Sequence, residues 1–282
     1  MRWRGGRRSG NIDDRRGVGP VAGGLGVGGV VLALIGYFVF GIDPTTTLSV
    51  VNGAGAPAAQ SAGVRGAPDD EAGQFVDVIE TSTAEVWTEI FDQSGQSYEP
   101  PAAMVLYEQA TGTRCGAGQA AMGPFYCPAD RSVYLDLSFW DDLENRFGAG
   151  GEAARAYVIA HEVAHHVQNL TGQMDQARRL GSQGAESGAV RLELQADCYA
   201  GVWAARAEAA SGGAVALGPD DIAEGLAAAS AIGDDTLQKQ SQGRVVPDAF
   251  THGSSAQRMA WFRRGAESGD PNACDTFSAT RL

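Results

Sequence analysis

Lysine is nearly missing from this chain, and histidine is scarce. Lys239 stands alone beside 20 arginines, a bias of base composition and not a functional signal. Histidine occurs four times in 282 residues, and three of the four fall between positions 161 and 166. Cysteine is limited to Cys115, Cys127, Cys198 and Cys274, with no C-x-x-C among them, which disfavours a structural zinc site made of four thiolates. Positive charge is short as well. The net charge is −13, and the first 20 residues, with six arginines against Asp13 and Asp14, carry +4 of it, leaving −17 for the rest. A phosphate-binding surface needs clustered cations in the folded part, so nucleic acid is excluded as the main partner.

Charge is absent altogether from the 26 residues between Arg16 and Asp43, a run long enough to cross a bilayer's hydrocarbon core. The expectation is a transmembrane helix over 21–42, preceded by an Arg-rich segment over 1–20. By the positive-inside rule the N-terminus is then cytoplasmic and the remainder extracytoplasmic, a single-pass protein of the cell membrane. A cleaved signal peptide is the rival reading, with small residues near Ala54 and Ala56 as cleavage sites. Gly19-xxx-Gly23 and Gly24-xxx-Gly28 hint at helix pairing without fixing an oligomeric state. Residues 43–70, rich in Ala, Gly and Pro, read as a flexible linker, and the folded domain is expected over 71–282.

What the chain does have is His161-Glu-Val-Ala-His165. Composition alone yields on the order of 0.003 H-E-x-x-H pentads per chain of this kind, so chance is a poor explanation. On a helix, residues four apart share one face, and the two imidazoles can converge on one tetrahedral metal ion. Glu162 beside them can take a proton from a water whose pKa zinc has lowered. The surrounding Ala153, Ala156, Tyr157, Ala160, Ala164 and Val167 form an apolar stripe, which predicts that the pentad lies on a buried helix. His166 points about 100° away from His165 and reads as a buried, hydrogen-bonded residue.

Zinc needs a third protein ligand. The helix predicted from about Glu186 to Ala209 offers Glu193 and Asp197, again four apart. The longer glutamate can reach the metal, while the aspartate can accept the other ring N–H of a ligating histidine. Glu186 is a weaker candidate. His252 sits just ahead of Ser254 and Ser255, which can cap a helix through Trp261-Phe262. From there it can donate to a developing oxyanion, with Arg258 orienting it or pairing with the acids.

Elsewhere the pattern predicts an amphipathic helix from Glu71 to about Gln93, and strands over Ala103–Tyr107 and Ser132–Leu137. The second strand is expected to be half-buried and able to pair with an extended peptide. A Gly-rich loop joins the strands, and Leu170–Ala185 reads as a loop at a cleft edge. Among three possible cysteine pairings, Cys115 with Cys127 and Cys198 with Cys274 are expected.

The segments His161–Gln168, Glu193-Leu-Gln-Ala-Asp197-Cys-Tyr-Ala-Gly201 and Trp261-Phe262 to Cys274 resemble the bacterial neutral zinc metallopeptidase family over nearly the whole chain. More broadly, H-E-x-x-H with E-x-x-x-D is similar to the gluzincin peptidases. That resemblance implies His161, His165 and Glu193 as zinc ligands, Glu162 as base and Asp197 behind a histidine. Thr251-His252 with Arg258 resembles a segment of membrane-associated gluzincins, although Gly253 stands where they have proline. The expected fold is α+β and zincin-like, mostly helical with a small sheet. The expected function is a membrane-anchored zinc metallopeptidase acting on a peptide or protein substrate. The alternatives are a tethered assembly protein with a structural zinc, or an amidase of cell-wall peptides.

Overall fold

The structure, a computed structural model, describes residues 1–17, 63–119 and 123–282. They form an α+β body with eight α-helices among the described residues. Its sheet has five strands in the order β2-β1-β3-β7-β6, where β1 is Ile12–Asp14, β2 Val64–Arg65, β3 Met104–Tyr107, β6 Phe125–Cys127 and β7 Ser132–Asp136. The strands β1, β3 and β7 run parallel, and the outer two are antiparallel to their neighbours. A separate hairpin pairs β4 (Ala110–Thr113) with β5 (Gly116–Gln119), where a loop was expected.

The strands β3 and β7 are buried on both faces. Met104, Leu106, Val133 and Leu135 point into the main core, as the period of two demands. Ala103, Val105, Tyr107, Cys127 and Tyr134 form a second cluster on the other side. The hairpin covers that side: Cys115 at its tip is bonded to Cys127, and Gly118 lies against the ring of Phe125. The expectation of a half-buried strand at 132–137 is therefore corrected. So is its proposed pairing with a peptide, because β3 and β7 bond on one side and β6 and β7 on the other. The free edge on that side belongs to β6.

The N-terminal expectation changes too. Residues 1–17 are part of the folded domain and not a separate Arg-rich segment. Ile12 is fully buried, Trp3 packs edge-on against Phe75 at 5.1 Å, and the arginines pair with acids of the domain, Arg4 with Glu71 and Glu152, Arg7 with Glu85, Arg16 with Asp70. The linker proposed over 43–70 likewise ends in β2, whose Val64 is the register partner of Asp14. The transmembrane span proposed over 21–42 lies outside the described residues. Among the described residues no helix is long and apolar enough to cross a membrane. Both flanks of residues 18–62 belong to one sheet. A leader cleaved near Ala54 would carry away β1.

The first helix, α1 (Glu71–Gln93), is capped by the Asp70 side chain on the Gly73 N–H and packs on the later helices. The short α2 (Phe139–Asn145) leads into α3 (Glu152–Thr171). Glu224 accepts from the Ala153 N–H at the start of α3, and Gly172, at φ 82°, ends it in the left-handed conformation that glycine tolerates. Next come α4 (Gln173–Arg179), within the stretch expected to be a loop, and α5 (Gly188–Ala210), capped by Ser187 on the Val190 N–H. The remaining helices are α6 (Pro219–Ala231), α7 (Asp234–Gln242) and α8 (Ser255–Ser268). Packing of α5 on α8 is backbone to backbone: a methyl on Gly265 would lie 1.9 Å from the Cys198 carbonyl oxygen, and one on Gly201 2.2 Å from that of Phe262.

Candidate metal centre

The centre is built on α3 and α5, with α8 behind them. Their burial follows from the apolar residues around the polar ones: Ala160, Val163 and Ala164 on α3, Leu194 and Ala196 on α5, all at or near zero exposure. Against that background His161, Glu162 and His165 are almost fully buried. Spacing of four brings the two imidazoles 4.8 Å apart, nearly perpendicular. Glu193 reaches across from α5, with one carboxylate oxygen 3.2 Å from His161 Nε2 and the other 3.4 Å from His165 Nε2. One donor atom from each of His161, His165 and Glu193 lies within 4.8 Å of the others, and the three can hold a metal ion. Two imidazole nitrogens and a carboxylate oxygen are the donor chemistry of an open zinc site, so the residues present fit the metal.

Each imidazole is fixed from behind. Asp197, fully buried, accepts from His161 Nδ1 at 2.8 Å, from Tyr157 Oη at 2.5 Å and from Arg258 at 2.8 and 2.9 Å. His165 Nδ1 faces Gln168 Oε1 at 2.8 Å. Burial would push the His161 imidazole down, but the charge and hydrogen bond of Asp197, with the bond to Glu193, outweigh it and hold it up at about 10. Burial would likewise raise Glu193, yet the charges of His165 and His252 and the bond from His161 hold it well below the usual carboxylate range. Glu162 differs: burial raises its carboxyl, only partly countered by the two histidines.

His252 is brought to the same region, close enough for its charge to act on Glu193. Asp234, at the start of α7, organises that loop. One of its oxygens accepts from the backbone N–H groups of Thr251, His252 and Gly253 at 2.7, 2.6 and 3.0 Å, and the other lies 3.3 Å from His252 Nδ1. The His252 ring is about a third exposed. Arg258 does not orient His252; its guanidinium is spent on Asp197, Tyr157 Oη and the Ile232 carbonyl. Glu186 is not among the grouped donors. His166 is fully buried, Nδ1 3.0 Å from Tyr126 Oη and Nε2 2.7 Å from the Glu99 carbonyl, as a packing histidine should be. Sequence reasoning missed Asp234, Tyr157, Gln168 and Gln195. Tyr157 and Gln168 carried a signal, lying one helical turn before His161 and one after His165.

Both expected disulfides are present, Cys115–Cys127 and Cys198–Cys274. The second joins α5, one residue after Asp197, to the C-terminal 3-10 turn Pro271–Cys274.

Comparison with known proteins places the chain in a family. A family model described as "Putative neutral zinc metallopeptidase" matches residues 1–277. The uncharacterized protein YpfJ of Escherichia coli (strain K12) is 46% identical over 295 residues, covering 98% of this chain and 99% of the relative. The uncharacterized protein Rv2575 of Mycobacterium tuberculosis (strain ATCC 25618 / H37Rv) is 50% identical over 186 residues, 64% of this chain and 63% of the relative. No solved structure matches the chain. With a match that starts at residue 1 and runs through the pentad, Glu193 and the C-terminal cysteine, the chain belongs to the neutral zinc metallopeptidase family.

Proposed function

We propose that this protein is a zinc-dependent peptidase in which His161, His165 and Glu193 hold the metal and Glu162 is the general base. The observation that carries this reading is the convergence of those three donors next to a buried carboxyl whose pKa burial has raised. Bound zinc supplies a Lewis acid for the scissile carbonyl and lowers the pKa of water. Glu162 accepts a proton from the attacking water and hands it to the leaving amine, work that a raised carboxyl pKa suits. His252 engages Thr251 and Asp234 through Nδ1, so Nε2 is the atom that donates to the developing oxyanion. Asp197 accepts from His161 Nδ1, which would leave the Nε2 lone pair to the metal once zinc is bound. An extended peptide fits best along β6, the edge strand nearest α3, the zincin-like arrangement.

Two disulfides support an extracytoplasmic location. The uncharged run from 17 to 42 supports attachment to the cell membrane, with residues 1–17 on the same side as the domain.

The test is cleavage of a peptide library, including cross-linked cell-wall peptides, by the full chain loaded with zinc. Glu162→Gln should lower the rate by about 10²- to 10⁴-fold, the usual contribution of a positioned base. Equal cleavage by both proteins would refute the base, and a purified protein without stoichiometric zinc would refute the metal site. Zinc without cleavage of any peptide would favour the structural role.

A further inference from the structure

We infer that Gln168 is the positioning residue for His165, and that it sets the spacing between the two helices carrying the metal ligands. The inference rests on the metal reading above. Gln168 is fully buried, three residues after His165 on α3. Its side chain touches both ligand helices at the level of the site. Oε1 is 2.8 Å from His165 Nδ1, and Nε2 donates at 2.7 Å to the carbonyl of Leu192, the residue before Glu193. Nε2 also donates at 3.1 Å to Gln195 Oε1, and Gln195 Nε2 donates at 3.2 Å to the Cys274 carbonyl.

The direction of this chain of bonds is fixed at its ends. A backbone carbonyl only accepts, so the nitrogen of each amide must face Leu192 or Cys274. Gln168 then presents an oxygen to His165, and Nδ1 must carry the proton. Nε2 is then the nitrogen of His165 turned toward Glu193, at 3.4 Å. The two histidines are thus held by different chemistry. His161 leans on a charged carboxylate that Arg258 neutralises, whereas His165 leans on a neutral amide that needs no counter-ion. Anchoring also differs: the amide chain ends on Cys274, which the Cys198–Cys274 bond ties back to α5. Gln195, itself almost fully buried, positions Gln168 in the same way.

Gln168→Met keeps the volume and removes the acceptor. In the purified full chain, the expected result is a 10- to 100-fold weaker zinc affinity by chelator competition, the usual effect of losing a ligand's supporting partner. A changed visible spectrum of the cobalt(II)-loaded protein should accompany it. Gln195→Met should give a smaller loss in the same direction. A folded Gln168→Met protein with wild-type zinc affinity and cobalt spectrum would overturn the inference. Should that variant fail to fold, unchanged affinity and spectrum in Gln195→Met would overturn it instead. Wild-type protein without metal would remove the metal reading and this inference together, whereas wild-type zinc with unaltered variants removes this inference alone.

Discussion

Arg258 lays Nε and Nη2 against the two oxygens of Asp197, at 2.8 and 2.9 Å, while the same carboxylate accepts from His161. Both residues of the pair are almost fully buried, so the charge on Asp197 is tolerated because the guanidinium meets it in a two-pronged geometry. Removing one partner of such a pair costs roughly 3–5 kcal/mol, chiefly by stranding the other charge. Arg258→Met is expected to lower the stability of the metal-free protein by about that amount in denaturant titrations. Arg258→Lys should rescue little of it, since an ammonium cannot reproduce the fork. A loss under 1 kcal/mol in Arg258→Met would contradict this account.

Close approach of α5 and α8 depends on Gly201 and Gly265. Gly265→Ala should force the helices apart and cost about 1–3 kcal/mol, the usual range for overpacking. Because Asp197 lies on α5 and Arg258 on α8, zinc affinity should fall with it. Equilibrium unfolding together with metal competition checks both, and wild-type values in each would exclude a role for the tight crossing.

His166 predicts an acid-sensitive step that is independent of metal. Burial pushes its imidazole down to about 4. The folded pKa lies below the unfolded value near 6.5, so stability is complete above pH 6.5 and is lost as pH falls toward 4. The loss over that window is roughly 3 kcal/mol at 1.36 kcal/mol per unit. Carboxylates held low by their partners, such as Asp197 and Asp234, add their own losses only below their unfolded value near 3.8. The difference between wild type and His166→Gln, followed from pH 8 to 4, should therefore shrink across that window. A constant difference would show that His166 titrates normally in the fold.

Pairing of Asp14 with Val64 predicts where the N-terminus lies. All four native cysteines are in disulfides, so single cysteines placed at the exposed Arg8 and Arg281 can be labelled selectively. A membrane-impermeant maleimide applied to intact cells should react with both or with neither. Reaction at one position alone would mean that β1 is not in the sheet in the cell.

The metal centre was largely legible because its signals are local. His161 with His165, and Glu193 with Asp197, need only the helical repeat and apolar neighbours to be placed on facing surfaces. Asp234 and Gln195 were not legible, since their partners at 252 and 274 lie far along the chain and nothing in their own neighbourhood marks them. The start of the chain misled for a different reason. Its six arginines dominate the composition, whereas the strand among them shows only Ile12 to the core, and the acids that neutralise Arg4 and Arg7 lie beyond position 69. In β7 the alternation was read correctly, but the hairpin that hides its second face has no apolar signature of its own.

The place of β1 has a consequence for how the protein is made. Ile12–Asp14 is synthesised about ninety residues ahead of its parallel neighbour Met104–Tyr107. Until then Ile12 lacks the neighbouring strand it pairs with, and the nascent chain must keep that segment from straying into other contacts. A shortened protein beginning at β2 would leave Met104–Leu106 with one unpaired edge, ready to recruit a foreign strand.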